Sequence, residues 1–302
     1  MPELPEVETI ARDLHAAGIV GKTLACARVY WTRTIAEPSA PEFCRRIEKK
    51  QIVAVGRRGK FLVMDLAGSG NLLMHLRMSG RLHLVSSEAQ RLPHEHVVLA
   101  FADGSELRFH DTRKFGRIYL TQDAERILGR LGPEPLDPEF TARTLFEALH
   151  ARSRLIKPLL LDQRFIAGLG NIYTDEALWE ARIHPRRRSD SLVPQESKVL
   201  HSAIRKVLQR GLKNLGTSLG SGKANFYSVG RRRGRNRDEL KVFRRTGEPC
   251  PRCHALIQRI IVGQRSTHIC TKCQVLKGFD GVRFSGRTQI RSTNSEIRNK
   301  SE

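Results

Sequence analysis

Residues 250–273 run Cys250-Pro-Arg-Cys253, sixteen further residues, then Cys270-Thr-Lys-Cys273, a C-x2-C-x16-C-x2-C spacing. Each pair sets two thiolates on one side of a tight turn, and two such turns at the ends of a hairpin complete a tetrahedral zinc site. Disulfides are the competing explanation and belong to an oxidising compartment, while unrelated core cysteines do not account for a repeated spacing. Four sulfur ligands leave the ion no open position, so the expected cofactor is one structural Zn2+. His254 and His268 adjoin the ligands, but the sulfur set needs neither. Between the pairs, Leu256 to Val262 and Ser266 to Ile269 read as short strands with Gly263-Gln264-Arg265 at the turn. The hairpin tip then presents Arg265, whose guanidinium suits a phosphate. Cys26 and Cys44 stand alone.

Working back from the cysteines, residues 223–245 hold nine basic residues and two acids, net +7, the most basic stretch of the chain. The segment 216–237 lacks a period, is rich in Gly and Arg, and is expected to be a mobile loop. Helical spacing precedes it: Phe140 to Ala151, Arg154 to Leu161, Asn171 to Ala181, and a fourth helix through Leu200, Ile204, Val207 or Leu208 and Leu212. Prolines concentrate in Leu131-Gly-Pro-Glu-Pro-Leu-Asp-Pro138, which reads as a linker. From Thr23 to Tyr119 short β-rich runs (QIVAV, KFLVMDL, NLLMHLRM, HVVLAFA, ELRFH, GRIYL) alternate with turns and predict an antiparallel sandwich or barrel. A helix is expected almost at the start, with Pro5 at its first position, Glu6 and Glu8 at its amino end, and Val7, Ile10 and Leu14 on one face. After the cysteines the chain turns polar, and a disordered tail is expected from about residue 285.

These elements give an α+β chain of two domains. The expected divisions are a β-sandwich over 1–133, a linker over 134–140, a helical domain over 141–244, the zinc finger over 245–275 and a tail over 276–302. The 302 residues suffice for that division, with 39% hydrophobic and 28% charged residues. No apolar run is long enough to cross a bilayer, so a membrane protein is excluded. The amino terminus MPELPEVETI carries acids where a secretory signal would carry Lys or Arg, which predicts a cytoplasmic protein. Lys and Arg number 53 against 31 Asp and Glu, a net charge of +22 that calls for a polyanion such as nucleic acid.

Taken in order, PELPEVE at the amino terminus, the strand at Lys60, HLRMSG (75–80), HDTRKFG (110–116), GLGNIY (168–173) and the four-cysteine finger resemble the formamidopyrimidine-DNA glycosylase family of base-excision repair enzymes. The resemblance spans almost the whole chain. It implies an N-terminal antiparallel β-sandwich flanked by helices, then a helical domain with a helix-two-turns-helix motif and the zinc finger, with damaged double-stranded DNA in the cleft between. It also implies a bacterial-type cytoplasmic protein that meets the nucleoid through DNA and acts as a monomer. The arginine-rich segment 216–237 departs from the family pattern where relatives close over the flipped base, and the tail is longer than in many relatives. The nearest alternatives are an endonuclease VIII type glycosylase for oxidised pyrimidines and, in another class, a non-catalytic zinc-ribbon DNA-binding protein.

The resemblance implies removal of oxidised purines (8-oxoguanine, formamidopyrimidines) and strand cleavage through a Schiff base, with Pro2, Glu3, Lys60 and Arg265 as the catalytic set. A terminal proline is a secondary amine, and α-amino groups titrate near about 7.7–8, so a useful fraction is neutral at cellular pH while lysine is protonated. Its attack on the sugar carbon yields an iminium ion, an electron sink that acidifies the neighbouring sugar proton. The helix near Pro5 points its positive end at this amine, which is expected to lower the amine pKa, with Glu6 opposing. Glu3 is the expected proton carrier, although an acid there also suits a helix cap. Lys60 follows Arg57-Arg58-Gly59 at a strand start. Asn171, after the Gly168-Leu-Gly170 turn, is expected to face outward with the free helix amides toward a phosphate. Met78, Arg113 and Phe115 are the family's void-filling set: a flexible apolar side chain, a donor for the orphaned base, and a wedge. Arg113 and Phe115, two apart, share a face if extended. His75 and His96 are DNA-contact candidates for which a buried structural role is the plainer reading, and Glu176 is expected to tie the helical motif to the amino-terminal site.

Overall fold

A computed structural model of the chain describes residues 1–68, 70–219, 226, 227, 229 and 232–276. The middle of the segment expected to be a mobile loop (220–225, 228, 230, 231) and the expected disordered tail from 277 onward lie outside the described residues.

Helix α1 (Leu4–Ala16) opens the chain. Its first residue is Leu4, so Pro5 stands at the second helical position rather than the first. Val7, Ile10, Ala11 and Leu14 are buried in the core of the N-terminal domain, whereas Leu4 is buried in the separate core of the helical domain. One turn of helix thus belongs to both halves, which places the amino terminus at their junction.

Two sheets stack behind α1. The first has the order β1 (Leu24–Val29), β7 (Glu95–Phe101), β8 (Ser105–His110), β6 (Arg81–Ser86). The second runs β2 (Ile35–Glu37), β9 (Arg117–Thr121), β5 (Gly70–His75), β4 (Phe61–Leu66), β3 (Ile52–Arg58). Alternate residues Leu62, Met64 and Leu66 of β4 point inward, as a period of two requires, and meet Leu82, Val97, Leu99, Leu107 and Phe109 from the other sheet. All pairs are antiparallel except the three-residue edge strand β2, which lies parallel to β9. Helix α2 (Ala40–Ile47) buries Phe43 and Ile47 against this core.

After the short helix α3 (Glu125–Leu128) comes the proline-rich linker, which is clamped rather than slack. Glu134 receives Arg57 (Nη1 to Oε2, 2.7 Å), Arg58 (Nη1 to Oε1, 3.1 Å) and the Gly59 amide (2.6 Å). Arg58 also donates to the carbonyls of Leu131 and Gly132. The linker backbone joins the helical side through Gly132 N to Gln163 O and Ala167 N to Pro133 O.

The helical domain comprises α4 (Ala142–His150), α5 (Ile156–Leu161), α6 (Asn171–Glu180) and α7 (Pro194–Lys213) around Leu145, Leu149, Ile156, Leu159, Tyr173, Leu200 and Ile204. Leu155 is exposed just before α5, whose Ile156, Leu159 and Leu160 are buried. The finger contributes β10 (Gln258–Val262) and β11 (Arg265–Ile269) with Gly263-Gln264 at the turn. Both turn residues are left-handed (φ 56° and 59°), so Arg265 opens β11 opposite Val262 instead of sitting in the turn itself. A Cβ at Gly263 would come within 2.7 Å of Pro158, which is why the tip can rest on α5.

Candidate active site

The Gly168-Leu-Gly170 turn is shaped to receive the amino-terminal segment. A Cβ at Gly168 would lie 2.7 Å from Leu4, and one at Gly170 would lie 2.4 Å from the Glu3 carboxyl carbon. Into that space Glu3 brings its carboxylate, which accepts hydrogen bonds from the amides of Gly170 (2.8 Å), Ile172 (2.9 Å) and Tyr173 (3.3 Å). The expectation that the free amides of this helix face outward to a phosphate is therefore corrected: a carboxylate of the same chain occupies them, as the partial positive charge of a helix start favours. Asn171 itself is half-buried and lines the cleft. Its Nδ2 donates to the Ser266 carbonyl of the finger at 2.9 Å, and its Oδ1 is buried without a partner among the described residues.

Glu3 in turn donates its own N–H to Glu6 Oε2 at 2.8 Å, and Glu6 Oε1 accepts from Tyr173 Oη (2.8 Å) and the Thr217 amide (2.7 Å). Burial pushes the Glu3 carboxyl up, while Lys60 and the amides of Ile172 and Tyr173 pull it down. Glu6 is pushed up to about 7 by burial and by the Glu3 charge, against its hydrogen bonds. The terminal amine, here that of Met1, is lowered chiefly by burial. Lys60 and Arg244 lower it further, and Glu3 and Glu6 oppose. Pro2 is buried one residue on, its nitrogen in peptide linkage to Met1.

Lys60 stands in the two-residue turn between β3 and β4, only 5% exposed, and is not the surface lysine that a strand start suggests. Burial lowers it to about 8, with Glu3 and Glu6 raising and Arg265 lowering it. A cavity of about 390 Å3 gathers Met1, Glu3, Lys60, Met78, Asn171 and Arg265, and an adjoining one of about 490 Å3 is lined by Met1, Pro2, Glu6, Met78, Arg113 and Phe226. Residues 2, 3, 60, 78, 113, 171 and 265, scattered over the sequence, thus meet at one cleft.

Met78 and Phe115 are exposed by 41% and 48%, in contrast to the buried core of the sandwich. Neither is on a strand: Met78 lies in the turn after β5, and Arg113 and Phe115 lie in the loop 111–116 between β8 and β9. They come together by stacking, the Arg113 guanidinium 4.8 Å from the Phe115 ring centre, and not by strand alternation. Asp111, which sequence reasoning missed, joins the two loops: its fully buried carboxylate accepts from the Ser79 hydroxyl, the Arg113 amide (3.2 Å) and the Gly116 amide (2.7 Å). Its only signal was an acid inside HDTRKFG. His96 Nε2 lies 2.8 Å from the Asp111 carbonyl and so supports the same loop. His75 is buried, accepts from the Arg77 amide at 3.1 Å, and is pushed down to about 3 by burial first and by Arg77 and Lys60 next. A neutral, internally bonded imidazole is a structural partner.

Glu176 is another correction. Its carboxylate accepts from the amides of Lys241, Val242 and Phe243 (2.9–3.0 Å) and from Arg210, tying α6 to α7 and to the approach of the finger, not to the amino terminus. Tyr173, through Glu6, makes the tie expected of it. A second link unseen in the sequence is the fully buried Lys157–Asp175 pair (2.6 Å). Lys157 also reaches Ser266 O and Thr267 Oγ1, and Asp175 receives the His268 amide and lies 3.1 Å from its ring nitrogen, so β11 and Arg265 are anchored to α5 and α6. His268 is accordingly no zinc ligand, and His254 is exposed.

The sulfurs of Cys250, Cys253, Cys270 and Cys273 all lie within 4.8 Å of one another. Two of the pairs stand 3.9 and 3.3 Å apart, close to the roughly 3.8 Å that a tetrahedral Zn–S distance of about 2.3 Å imposes. The Trp179 N–H donates to Cys250 Sγ at 3.4 Å, the kind of outer contact that orients a thiolate ligand. The donor set fits one structural zinc and leaves it no free position.

Residues 1–118 match the family described as the formamidopyrimidine-DNA glycosylase N-terminal domain, 131–221 the H2TH domain of the same enzymes, and 247–275 the zinc finger found in FPG and IleRS. The chain is 46% identical over 274 residues to the formamidopyrimidine-DNA glycosylase of Protochlamydia amoebophila, covering 91% of this chain and 99% of that one. It is 45% identical over 278 residues to that of Chloroflexus aurantiacus, covering 91% and 98%. Among solved structures, wild-type Lactococcus lactis Fpg with DNA containing N7-benzyl-Fapy-dG superposes with a TM-score of 0.83 at 37% identity, covering 91% of this chain and all of that one. The same enzyme with abasic-site DNA gives 0.83 at 36% identity, covering 90% and 99%. Fold, cleft and relatives together define a DNA glycosylase of base-excision repair. The chain belongs to the formamidopyrimidine-DNA glycosylase family, with its β-sandwich, helix-two-turns-helix domain and four-cysteine finger. Among the described residues no helix is long and apolar enough to cross a membrane.

Proposed function

We propose that the protein is a bifunctional glycosylase and AP lyase that excises 8-oxoguanine and formamidopyrimidines from duplex DNA, working as a cytoplasmic monomer. With Met1 removed, the Pro2 nitrogen attacks C1′ of the damaged nucleotide, the bond from C1′ to the base breaks with its electron pair leaving on the base, and the proton shed by the Pro2 nitrogen goes to the departing base. Glu3 gives its proton to the sugar ring oxygen, the ring opens, and the C1′–N bond becomes an iminium ion. Loss of the C2′ proton to a base then sends its electron pair toward the iminium and expels the 3′ phosphate, and a second elimination expels the 5′ phosphate. Lys60, Asn171 and Arg265 hold the phosphates around the lesion, with Lys60 and Arg265 also serving these eliminations. Met78, Arg113 and Phe115 fill the vacated stack, and His75 and His96 brace the loops that carry them.

The observation that carries this reading is the buried Glu3 carboxylate, raised by burial, in one cavity with Lys60 beside the buried Pro2. A buried proton donor set beside the residue whose nitrogen is to be the nucleophile forms the pair such chemistry needs. Relatives described as binding Fapy-dG and abasic-site DNA support the choice of substrate. Borohydride reduction with duplexes containing 8-oxoguanine or an oxidised pyrimidine tests it. A covalent adduct at Pro2 with the oxidised purine is expected; an adduct only with the pyrimidine makes the enzyme endonuclease VIII-like, and reversible binding alone makes it a non-catalytic zinc-ribbon binder.

A further inference from the structure

A base leaving C1′ must lie beside Pro2, and it departs with the electron pair of the broken bond. Pro2 lines the cavity of about 490 Å3 and not the one of about 390 Å3 that gathers Lys60, Asn171 and Arg265. The first is therefore the place for the base and the second the place for the phosphates. Three arginines line the first: Arg81, Arg113 and Arg244. Arg81 is turned onto the Tyr227 ring at 5.8 Å, and Arg113 onto the Phe115 ring at 4.8 Å. Arg244 is exposed and, among the described residues, has neither a ring nor a carboxylate for a partner; its Nη1 donates to the Leu219 carbonyl at 3.2 Å. A guanidinium carries five N–H groups, so most of its donors are left for a ligand. We propose that Arg244 is a further substrate-binding residue, which donates to the ring carbonyl oxygen of the extruded oxidised purine. This inference rests on the function proposed above.

The backbone at Arg244 is left-handed (φ 61°), a conformation that glycine takes freely and an L side chain takes at a cost. The turn around it is locked. Glu176 holds the amides of the three preceding residues, Lys241 to Phe243, at 2.9–3.0 Å. Arg245 closes the other side, its amide donating to the Val242 carbonyl (3.1 Å) and its Nη1 to the Leu240 carbonyl (3.0 Å). A strained but fixed position that presents an unpaired cation to the cleft is the kind that a binding role maintains.

The charge of Arg244 also falls on the nucleophile's side of the cleft. It acts on the terminal amine, whereas the cation felt at Lys60 is Arg265. Guanine's ring carbonyl oxygen survives in both 8-oxoguanine and the formamidopyrimidine, and it is an acceptor that arginine matches. As the C1′ bond breaks, negative charge spreads onto that oxygen until the base takes up its proton. A guanidinium already in place there binds the leaving base more strongly than the intact one, which speeds release.

The test compares full-length, zinc-loaded wild type lacking Met1 with Arg244→Gly and Arg244→Lys. Glycine suits the left-handed turn, so Arg244→Gly is expected to melt no lower than wild type, and lysine keeps the charge. In single turnover on an 8-oxoguanine duplex, Arg244→Gly is expected to release the base about tenfold or more slowly, with Arg244→Lys between it and wild type. Cleavage of a preformed abasic site, which has no base to hold, should fall by less than about twofold. Binding to a duplex with a tetrahydrofuran abasic analogue should keep its salt dependence. Equal losses on the two duplexes, with the salt slope reduced by about one, would make Arg244 a phosphate contact and overturn the proposal. Unchanged base release by Arg244→Gly overturns it too, with the functional reading intact. Wild type that releases no 8-oxoguanine overturns that reading itself, and this inference with it.

Discussion

Helix α6 carries two glutamate cradles that look alike and do different things. At its start the amides of Gly170, Ile172 and Tyr173 hold Glu3; farther along, its own Glu176 is held by the amides of Lys241, Val242 and Phe243. Both carboxylates are almost wholly buried, and burial raises both. Glu3, however, faces a cavity with Lys60 and the chain terminus, while Glu176 faces, among the described residues, packed backbone and Arg210. A shifted carboxyl alone therefore does not mark catalysis in this fold; a cavity and an amine beside it do.

The largest effect that can break this comparison comes from removing each acid in turn. Glu3→Gln is expected to lower the single-turnover rate of base release by about 10²- to 10⁴-fold with DNA binding retained. Glu176→Gln should destabilise the fold by about 2–4 kcal/mol in urea titration while the folded fraction turns over normally. Equal kinetic losses would erase the distinction. Chelating the zinc sharpens it: amide exchange should rise over the finger and at Lys241 to Phe243, with Gly170 and Ile172 still protected.

A third buried acid, Glu6, gives a smaller signal. Folding lifts its pKa from 4.5 to about 7, so the native state keeps a proton that the unfolded chain releases within that window. Stability accordingly falls as pH rises from 4.5 to 7, by up to about 3 kcal/mol, and Glu6→Gln should flatten that slope in thermal melts. Smallest is Arg265→Ala, which should weaken DNA binding at every sequence alike and reduce the salt-dependence slope by about one.

Regular spacing made much of the architecture legible. Four cysteines two by two, the alternation of KFLVMDL and the helical period around Leu200 each reflect local geometry that a sequence must display. The partners of buried polar groups were not legible in the same way. GLGNIY looks like an open helix start, yet its two glycines are clearance for Leu4 and Glu3, chain segments more than 160 residues away. HDTRKFG leaves open whether Arg113 and Phe115 share an extended face; Lys114 is left-handed (φ 59°) and Asp111 draws three donors inward, so the wedge residues ride on a loop. Glu176 shows only an acid on a buried face, and its partners are backbone amides, which have no sequence signature.

The most direct test is the intact mass of catalytically active protein. The chemistry requires a free secondary amine at Pro2, so active molecules should lack the initiator methionine, and borohydride should leave the sugar attached to the peptide beginning at Pro2. Active protein that retains Met1 would contradict it.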